Sequence, residues 1–266
     1  MPIVLIINKN NQDDIEMVKI SAVIITLNEE KNIGRCLQSL QDVVDDIIVV
    51  DDFSSDQTAK ICSDYEVTFL QREWEGYSAA KNFGNSMAKY DHILSIDADE
   101  ALSDELREAI ISLKSHMTCD AYYLNRLTNY CGQWIRHCGW YPDSKIRLWD
   151  RRIGKWQGNI HESLVFEKQI SSATLTGDLL HYSFYSISDH IQTANRFSEI
   201  AADEMVKAEF KVNILYHIIL NPLYTFIHKY IFQLGILDGF YGFIICVISS
   251  FSNFLKFSKI KQKSRK

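Results

Sequence analysis

Asp97 and Asp99 close an apolar run at 93–96 and stand two residues apart, with Ala98 between them. Residues at i and i+2 of a strand point the same way. If strand geometry persists just past the sheet edge, two anionic oxygens can meet Mg²⁺ or Mn²⁺ from one side, and a diphosphate can complete the shell. The triplet alone is weak, because Asp fills 20 of 266 positions and chance supplies roughly one to two such triplets in a chain of this kind. Context carries it: Thr26-Leu27-Asn28-Glu29 and Asp51-Asp52 are further polar clusters, each following an apolar run.

Those clusters need a scaffold that brings strand ends together. The run at 20–26 is almost continuously apolar, as a strand buried on both faces should be. Asn28 can cap the helix that follows, whose inner face reads Ile33, Cys36, Leu37 and Leu40. A second buried strand at 47–50, a short helix capped by Asp56, a third strand at 67–70 and a helix over 77–88 lead to the strand before Asp97. Alternation of this kind predicts an α/β fold with a mainly parallel sheet flanked by helices. Its ligand belongs at the carboxyl ends of the strands, where the three polar clusters fall. A dinucleotide fold would place G-x-G-x-x-G after the first strand, yet the first glycine is Gly34. The acidic rim favours a metal-bridged phosphate instead.

Beyond Glu100 a helix is predicted over 103–116, with Asp104 and Glu105 in its first turn. Residues 120–185 read as short strands at 121–124, 145–149, 163–166 and 179–182, joined by loops rich in Trp, Tyr and Gly. That half should build the second substrate's pocket. A helix over 188–210 should pack Ile191, Ala194, Ala201 and Met205.

The net charge of −6 and pI near 5.8 argue against nucleic acid as a partner. Six cysteines without a C-x-x-C pair suit a reducing compartment, and Cys131, His137 and Cys138 form one dense patch without the second half of a zinc site. Residues 1–18 match nothing that follows and read as an extension, with Met17 an alternative start; the run at 3–7 is too short for a secretory signal. From 212 to 255 the only acid is Asp238, while ten residues are Phe or Tyr. The charge-free run at 239–255 has 17 residues, the lower limit for a spanning helix. Interfacial helices with rings at headgroup depth are the reading preferred here, beside a buried dimer interface. Six Lys or Arg at 256–266, with no acid among them, suit an anionic leaflet. The chain thus divides into an extension (1–18), a catalytic domain (19–211) and an apolar helical, membrane-associating region with a basic tail (212–266).

Taken together, the turn from Thr26 to Glu29, the segment from Val50 to Thr58 and the Asp97-Ala98-Asp99 triplet resemble family 2 glycosyltransferases. The likeness is to the bacterial lipopolysaccharide-core glucosyltransferase type, through Gly76 to Gly84, His161-Glu162, His181-Tyr182-Ser183 and Gly235-x-x-Asp238-Gly239 as well. It covers roughly residues 20–259. The resemblance implies the GT-A nucleotide-diphospho-sugar transferase fold and a UDP-sugar donor lying across the strand ends. On it, Asp52 accepts from uracil, Thr26 and Glu29 line base and ribose beside Asn28, and Lys81 approaches the diphosphate. Asp97 touches ribose or metal, Asp99 the metal. The Q-x-x-R-W signature of processive synthases is missing, since Gln71-Arg72-Glu73-Trp74 has another order. Single-sugar transfer is therefore expected.

Such transfer builds negative charge on the leaving phosphate and positive charge on the anomeric carbon. A cation offsets the first, and one carboxylate base takes the acceptor hydroxyl's proton. Glu162 is the expected base, a surface salt bridge being its other reading. His181 completes the metal shell, touches the diphosphate or is a structural histidine; Arg147 pairs with a phosphate or with the acid rim. The expectation is an inverting hexosyltransferase on the cytoplasmic face of the plasma membrane, acting on a lipid-linked saccharide such as lipopolysaccharide core. A sugar-phosphate nucleotidyltransferase would need a G-G-x-G-T-R loop after strand one, which is absent. A non-catalytic membrane-anchored binding protein would release no nucleoside diphosphate.

Overall fold

The computed structural model describes residues 17–158 and 162–264; residues 1–16, and with them most of the expected extension, lie outside. The elements run β1 (Ile20–Thr26), α1 (Ile33–Leu40), β2 (Asp46–Asp51), α2 (Thr58–Cys62), β3 (Thr68–Gln71), α3 (Tyr77–Met87), β4 (His92–Asp97), β5 (Glu100–Leu102) and α4 (Asp104–Leu113). The second half adds β6 (Ala121–Tyr130), β7 (Gln133–Ile135), β8 (Asp143–Asp150), β9 (Gly154–Gln157), β10 (Ser163–Phe166), β11 (Ser172–Phe184) and α5 (Ile187–Lys207). At the C-terminal end, π-helical segments at Ile214–Leu220 and His228–Phe232 flank α6 (Asn221–Ile227), and a 3₁₀ turn at Gly235–Asp238 opens into α7 (Gly239–Lys263).

Nine strands form one sheet in the order β3-β2-β1-β4-β8-β6-β11-β5, with β7 on β6. The parallel expectation holds for β3, β2, β1 and β4 and needs correction beyond them. β8 runs antiparallel to both β4 and β6, β11 returns parallel to β6, and β5 lies antiparallel on β11, so the sheet is mixed. Short connections explain this. No crossover helix separates β6 from β8, and without one neighbouring strands in sequence pair antiparallel.

Alternation along β1 divides the core. Ile20, Ala22 and Ile24 face α1, α2 and α4, whereas Val23 faces α3 together with Ile48, Val50, Trp149 and Trp156. Gly84 lets α3 come down onto the sheet, since a Cβ there would lie 2.4 Å from Val23 Cγ1. The same close approach buries Lys81, one turn earlier on that face.

The expected inner face of the long helix holds at Ala194 and at Met205, which packs beside Phe257, and needs correction at Ile191. On α5 the buried residues are His190, Ala194, Ser198 and Ala202, while Ile191 is 44% exposed. Small side chains there let α7 lie close, with Phe257 and Ile260 against Ala202. Among the described residues of the basic tail, two are spent on α5: Lys259 pairs with Glu199 at 3.0 Å, and Lys263 pairs with Glu199 and Asp203. Asp238 fastens the other end of α7. Its carboxylate accepts from the backbone N–H groups of Arg136 and His137 and contacts His137 Nδ1 at 2.9 Å.

His190 sits in an aromatic nest of Tyr130, Trp140 and Phe184, its Nδ1 3.1 Å from the Tyr130 hydroxyl. Burial lowers its pKa from 6.5 to about 4. The unfolded chain therefore binds the extra proton first. The stability this gives is complete above the ordinary histidine value and is lost as pH falls through about 4, a span worth about 3 kcal/mol. We expect the melting temperature of His190→Gln to fall less than that of the wild type between pH 7.5 and 5. Equal falls would remove His190 as the cause.

Candidate active site

Two cavities open at the carboxyl edge of the sheet and share Asp97. The first, of about 590 Å³, is lined by Thr26 and Glu29 from the β1 end, Asp52 after β2, Trp74 and Tyr77 before and at the start of α3, Asp99, His181 of β11 and Arg196 of α5. The second, of about 530 Å³, is lined by Lys81, Arg126, Lys145, Arg147, Trp156 and Glu162 among others. Parallel strands that end together bring the β1, β2 and β4 termini into the first cavity.

Strand geometry does not persist through the acidic triplet. β4 stops at Asp97, and Ala98 and Asp99 form a turn into β5. The two carboxylates consequently meet different partners. Asp97 Oδ2 accepts from Arg147 at 2.9 Å and its Oδ1 lies 3.3 Å from Lys81 Nζ, while Asp99 Oδ2 stands 3.2 Å from His181 Nε2. Thr128 Oγ1, at 3.3 Å from Nδ1, steadies the other side of that ring. Among the described residues no three His, Cys, Asp or Glu side chains converge as a metal site. Asp99 and His181 set one carboxylate beside one imidazole; the carboxylate suits a hard cation that would take its remaining oxygens from a diphosphate and water, and the imidazole nitrogen is the less suited partner.

Arg147 belongs to the acid rim. It donates to Asp97 and, at 2.7 Å, to Glu100 Oε1, and all three sit at the sheet edge with Glu100 only 1% exposed. Burial alone would push both carboxyls up. For Asp97, Arg147 and Lys81 outweigh burial and hold the carboxyl well below the usual range. For Glu100 burial wins over Arg147, with Asp97 adding to the rise, so its pKa lies above the usual value. Arg147→Leu would leave Asp97 with Lys81 alone and the buried Glu100 with only Arg126, at 3.7 Å, a loss of about 3 kcal/mol or more. Because the Asp97 side chain is 30% exposed we take the lower end. The melting temperature should drop on the order of 6 to 12 °C, and adding Glu100→Gln should recover part of the drop. An unchanged melting temperature in the single variant would show that Arg147 does not hold this cluster.

Lys81 lies in the second cavity, apart from the lining of the first, and bridges the two halves. Its Nζ sits 3.3 Å from Asp97 and 3.2 Å from Glu162 Oε1, 4.6 Å above the Trp156 ring. Glu162 thus faces that cavity; the neighbouring His161 lies outside the described residues. Asn28 neither caps α1, which starts after Asn32, nor lines either cavity. In a left-handed backbone conformation (φ 54°), its Oδ1 accepts from the Ser55 N–H at 2.8 Å and its own N–H donates to Ser54 Oγ, tying the loop after β2 to the β1 end. Asp52 and Thr26 are placed by that tie. Thr26 lines the cleft, though its Oγ1 is buried and has no hydrogen-bond partner among the described residues. Glu29 accepts from Asn32 Nδ2, and burial raises its pKa.

Reading the residues alone missed Trp74, Tyr77, Arg126, Lys145 and Arg196. Trp74 and Tyr77 stand edge to face at 4.7 Å, both half exposed at the cleft. Arg196 is the only Lys or Arg in the first cavity among the described residues, against Glu29, Asp52, Asp97 and Asp99. Its only cue in sequence is its place on the helix predicted over 188–210.

A family model described as Glycosyl transferase family 2 matches residues 21–174, more than half of the chain. An uncharacterized glycosyltransferase of Rickettsia typhi is 31% identical over 94% of this chain and 89% of its own. A lipopolysaccharide core biosynthesis glycosyltransferase, LpsC, of Rhizobium meliloti is 29% identical over 94% of both. Among solved structures, S. aureus TarS 1–349 in complex with UDP aligns at a TM-score of 0.44 and 14% identity over 93% of this chain and 92% of that one, too distant a likeness to compare side chains. By the family match and these relatives, the chain belongs to glycosyl transferase family 2 and is a glycosyltransferase.

Proposed function

We propose that this enzyme moves a single hexose, such as glucose, from a UDP-sugar to a membrane-held glycolipid, with lipopolysaccharide core as the acceptor and with inversion at the anomeric carbon. The observation that carries this reading is the pair of cavities meeting at Asp97. A leaving group would sit on the Asp99 and His181 side and the base, Glu162, on the other. Attack opposite a leaving group inverts the centre. In this reading Asp52 receives the base beside Thr26, Trp74 offers a ring to stack on, and Glu29 takes the ribose. Arg196 answers the diphosphate charge in an otherwise acidic cleft. Asp99 and His181 would hold Mg²⁺ or Mn²⁺, which when bound offsets charge on the departing phosphate. Glu162 takes the acceptor proton; Lys81 anchors its Oε1, and its Oε2 carries no partner among the described residues. The lipopolysaccharide core role of the relative LpsC supports the acceptor class.

Apolar side chains on 214–243 support the membrane part of the proposal. Leu215, Tyr224, Phe232, Leu237 and Phe240 all lie exposed, Phe232 at 73%, in one stretch free of acids except the buried Asp238. Exposed apolar surface of this extent marks an interaction site, and helices lying in the interface plane bury such a face. α7 with its preceding turn, Gly235–Lys263, is long and apolar enough to cross a membrane by length and composition. Its packing along α5 favours lying on the cytoplasmic leaflet instead.

The test is UDP release by purified full-length protein from UDP-glucose with Mn²⁺, with and without rough lipopolysaccharide in anionic vesicles. Acceptor-stimulated release and flotation with the vesicles are expected. No UDP-sugar turnover under any of these conditions would overturn the activity assigned to the site, and protein that never floats would overturn its membrane placement. A narrower expectation concerns Arg196. Arg196→Gln should weaken UDP binding at least tenfold while uridine binding stays as in wild type, because only UDP carries the charge that Arg196 answers. Equal losses for both ligands would assign Arg196 to the base or to folding.

A further inference from the structure

A third cavity, of about 290 Å³, lies between the loop at 139–143 and the ends of β6 and β11. It shares Arg126 with the cavity that holds Glu162 and His181 with the donor cleft. Trp140 supplies an aromatic wall, Thr128 and Ser183 supply hydroxyls, and Asp143 is held by Arg126 at 2.9 Å from Nε. The Trp140 and Phe184 rings, set among two hydroxyls, an imidazole and a paired carboxylate and guanidinium, offer faces for a sugar ring to stack on and polar groups for its hydroxyls, a lining too polar for an acyl chain. At ~30 Å³ per water the space equals roughly ten waters, room for one sugar ring.

The loop's other side is bound to the segment that carries the exposed apolar surface. Cys138 N–H donates to the Gln233 carbonyl at 3.0 Å, and Lys229 Nζ donates to the Cys138 carbonyl at 2.9 Å. Gly139, in a left-handed conformation, touches Gln233 so closely that a Cβ would fall 2.4 Å from its amide oxygen. Ile231, Phe232 and Leu234, beside these contacts, are exposed. A single loop thus separates the cavity from the apolar face.

From this juxtaposition we infer that the third cavity binds the sugar residue of the acceptor that lies between its accepting hydroxyl and its lipid anchor. The inference rests on the glycolipid-acceptor reading above and extends it to a specific subsite. A glycolipid seated on the apolar face reaches the catalytic cavities through this space, and Arg126 and His181 are where it would enter them.

The experiment uses full-length protein with rough lipopolysaccharide in vesicles as acceptor. Ser183→Phe fills the cavity from a strand, and Trp140→Ala removes its aromatic wall. Each should raise the acceptor KM at least tenfold, while the melting shift induced by UDP stays that of wild type. Ser183→Phe with an unchanged acceptor KM would overturn the subsite alone. Wild-type protein that binds UDP but does not transfer to this glycolipid removes the acceptor and the subsite with it. Wild-type protein that binds no UDP removes the donor reading as well.

Discussion

Asp99→Ala is expected to lower transfer at least a thousandfold, with the fold intact. The reason is the division of labour at the β4 end. Asp97 Oδ2 accepts from Arg147 and its Oδ1 lies 3.3 Å from the Lys81 ammonium, so in the proposed reading Asp99 and His181 are the side chains that would hold a cation against the diphosphate. A bound metal contributes several kcal/mol to stabilising charge on the leaving phosphate, and about 1.4 kcal/mol corresponds to each factor of ten. The turn should survive the change, because the Asp99 carbonyl accepts from the Tyr182 N–H at 2.9 Å whatever the side chain. Mn²⁺ should then no longer strengthen the melting shift produced by UDP. Near-normal turnover in Asp99→Ala would mean that no cation at this carboxylate matters to the reaction. Asp97→Asn makes a useful contrast, since its effect should appear in stability as well as in rate.

Glu162→Gln is expected to cost 10² to 10⁴ in kcat, the range for losing a general base, with UDP affinity unchanged. Glutamine keeps the size of the side chain and an oxygen for Lys81 to donate to, but takes up no proton. The competing role, a structural partner of Lys81, predicts another pattern. Lys81 is almost fully buried and is shared between Asp97 and Glu162. If Glu162 served only to neutralise it, the variant would melt earlier and still transfer sugar at the wild-type rate. That result would sink the assignment of the base.

Much of the first half was legible because a strand buried on both faces writes a continuous apolar run, and β1, β2 and β4 all do. The inner face of α1 was readable for the same reason: Ile33, Cys36, Leu37 and Leu40 are all buried. β5 left no such mark. Three residues long, it contains Glu100, which a reader of the sequence would place in water. Its burial depends on Arg147, 47 residues later in the chain. α5 misled in the opposite way, since Ile191 looks like core and is exposed, whereas His190 and Ser198 look polar and are buried beside Ala194 and Ala202.

The sequence by itself determined that a carboxyl-end rim would carry Thr26, Glu29, Asp52, Asp97 and Asp99, because successive parallel strands end on one side whatever follows. Tertiary structure alone decided how those groups are used. Asp97 turned to Arg147 and Lys81 while Asp99 turned to His181, Asn28 went to a loop tie, and Arg196 entered the cleft. The physical reason is range. Strand burial is written locally in hydrophobic pattern, but the partner of a charge is chosen by whichever distant element folds against it.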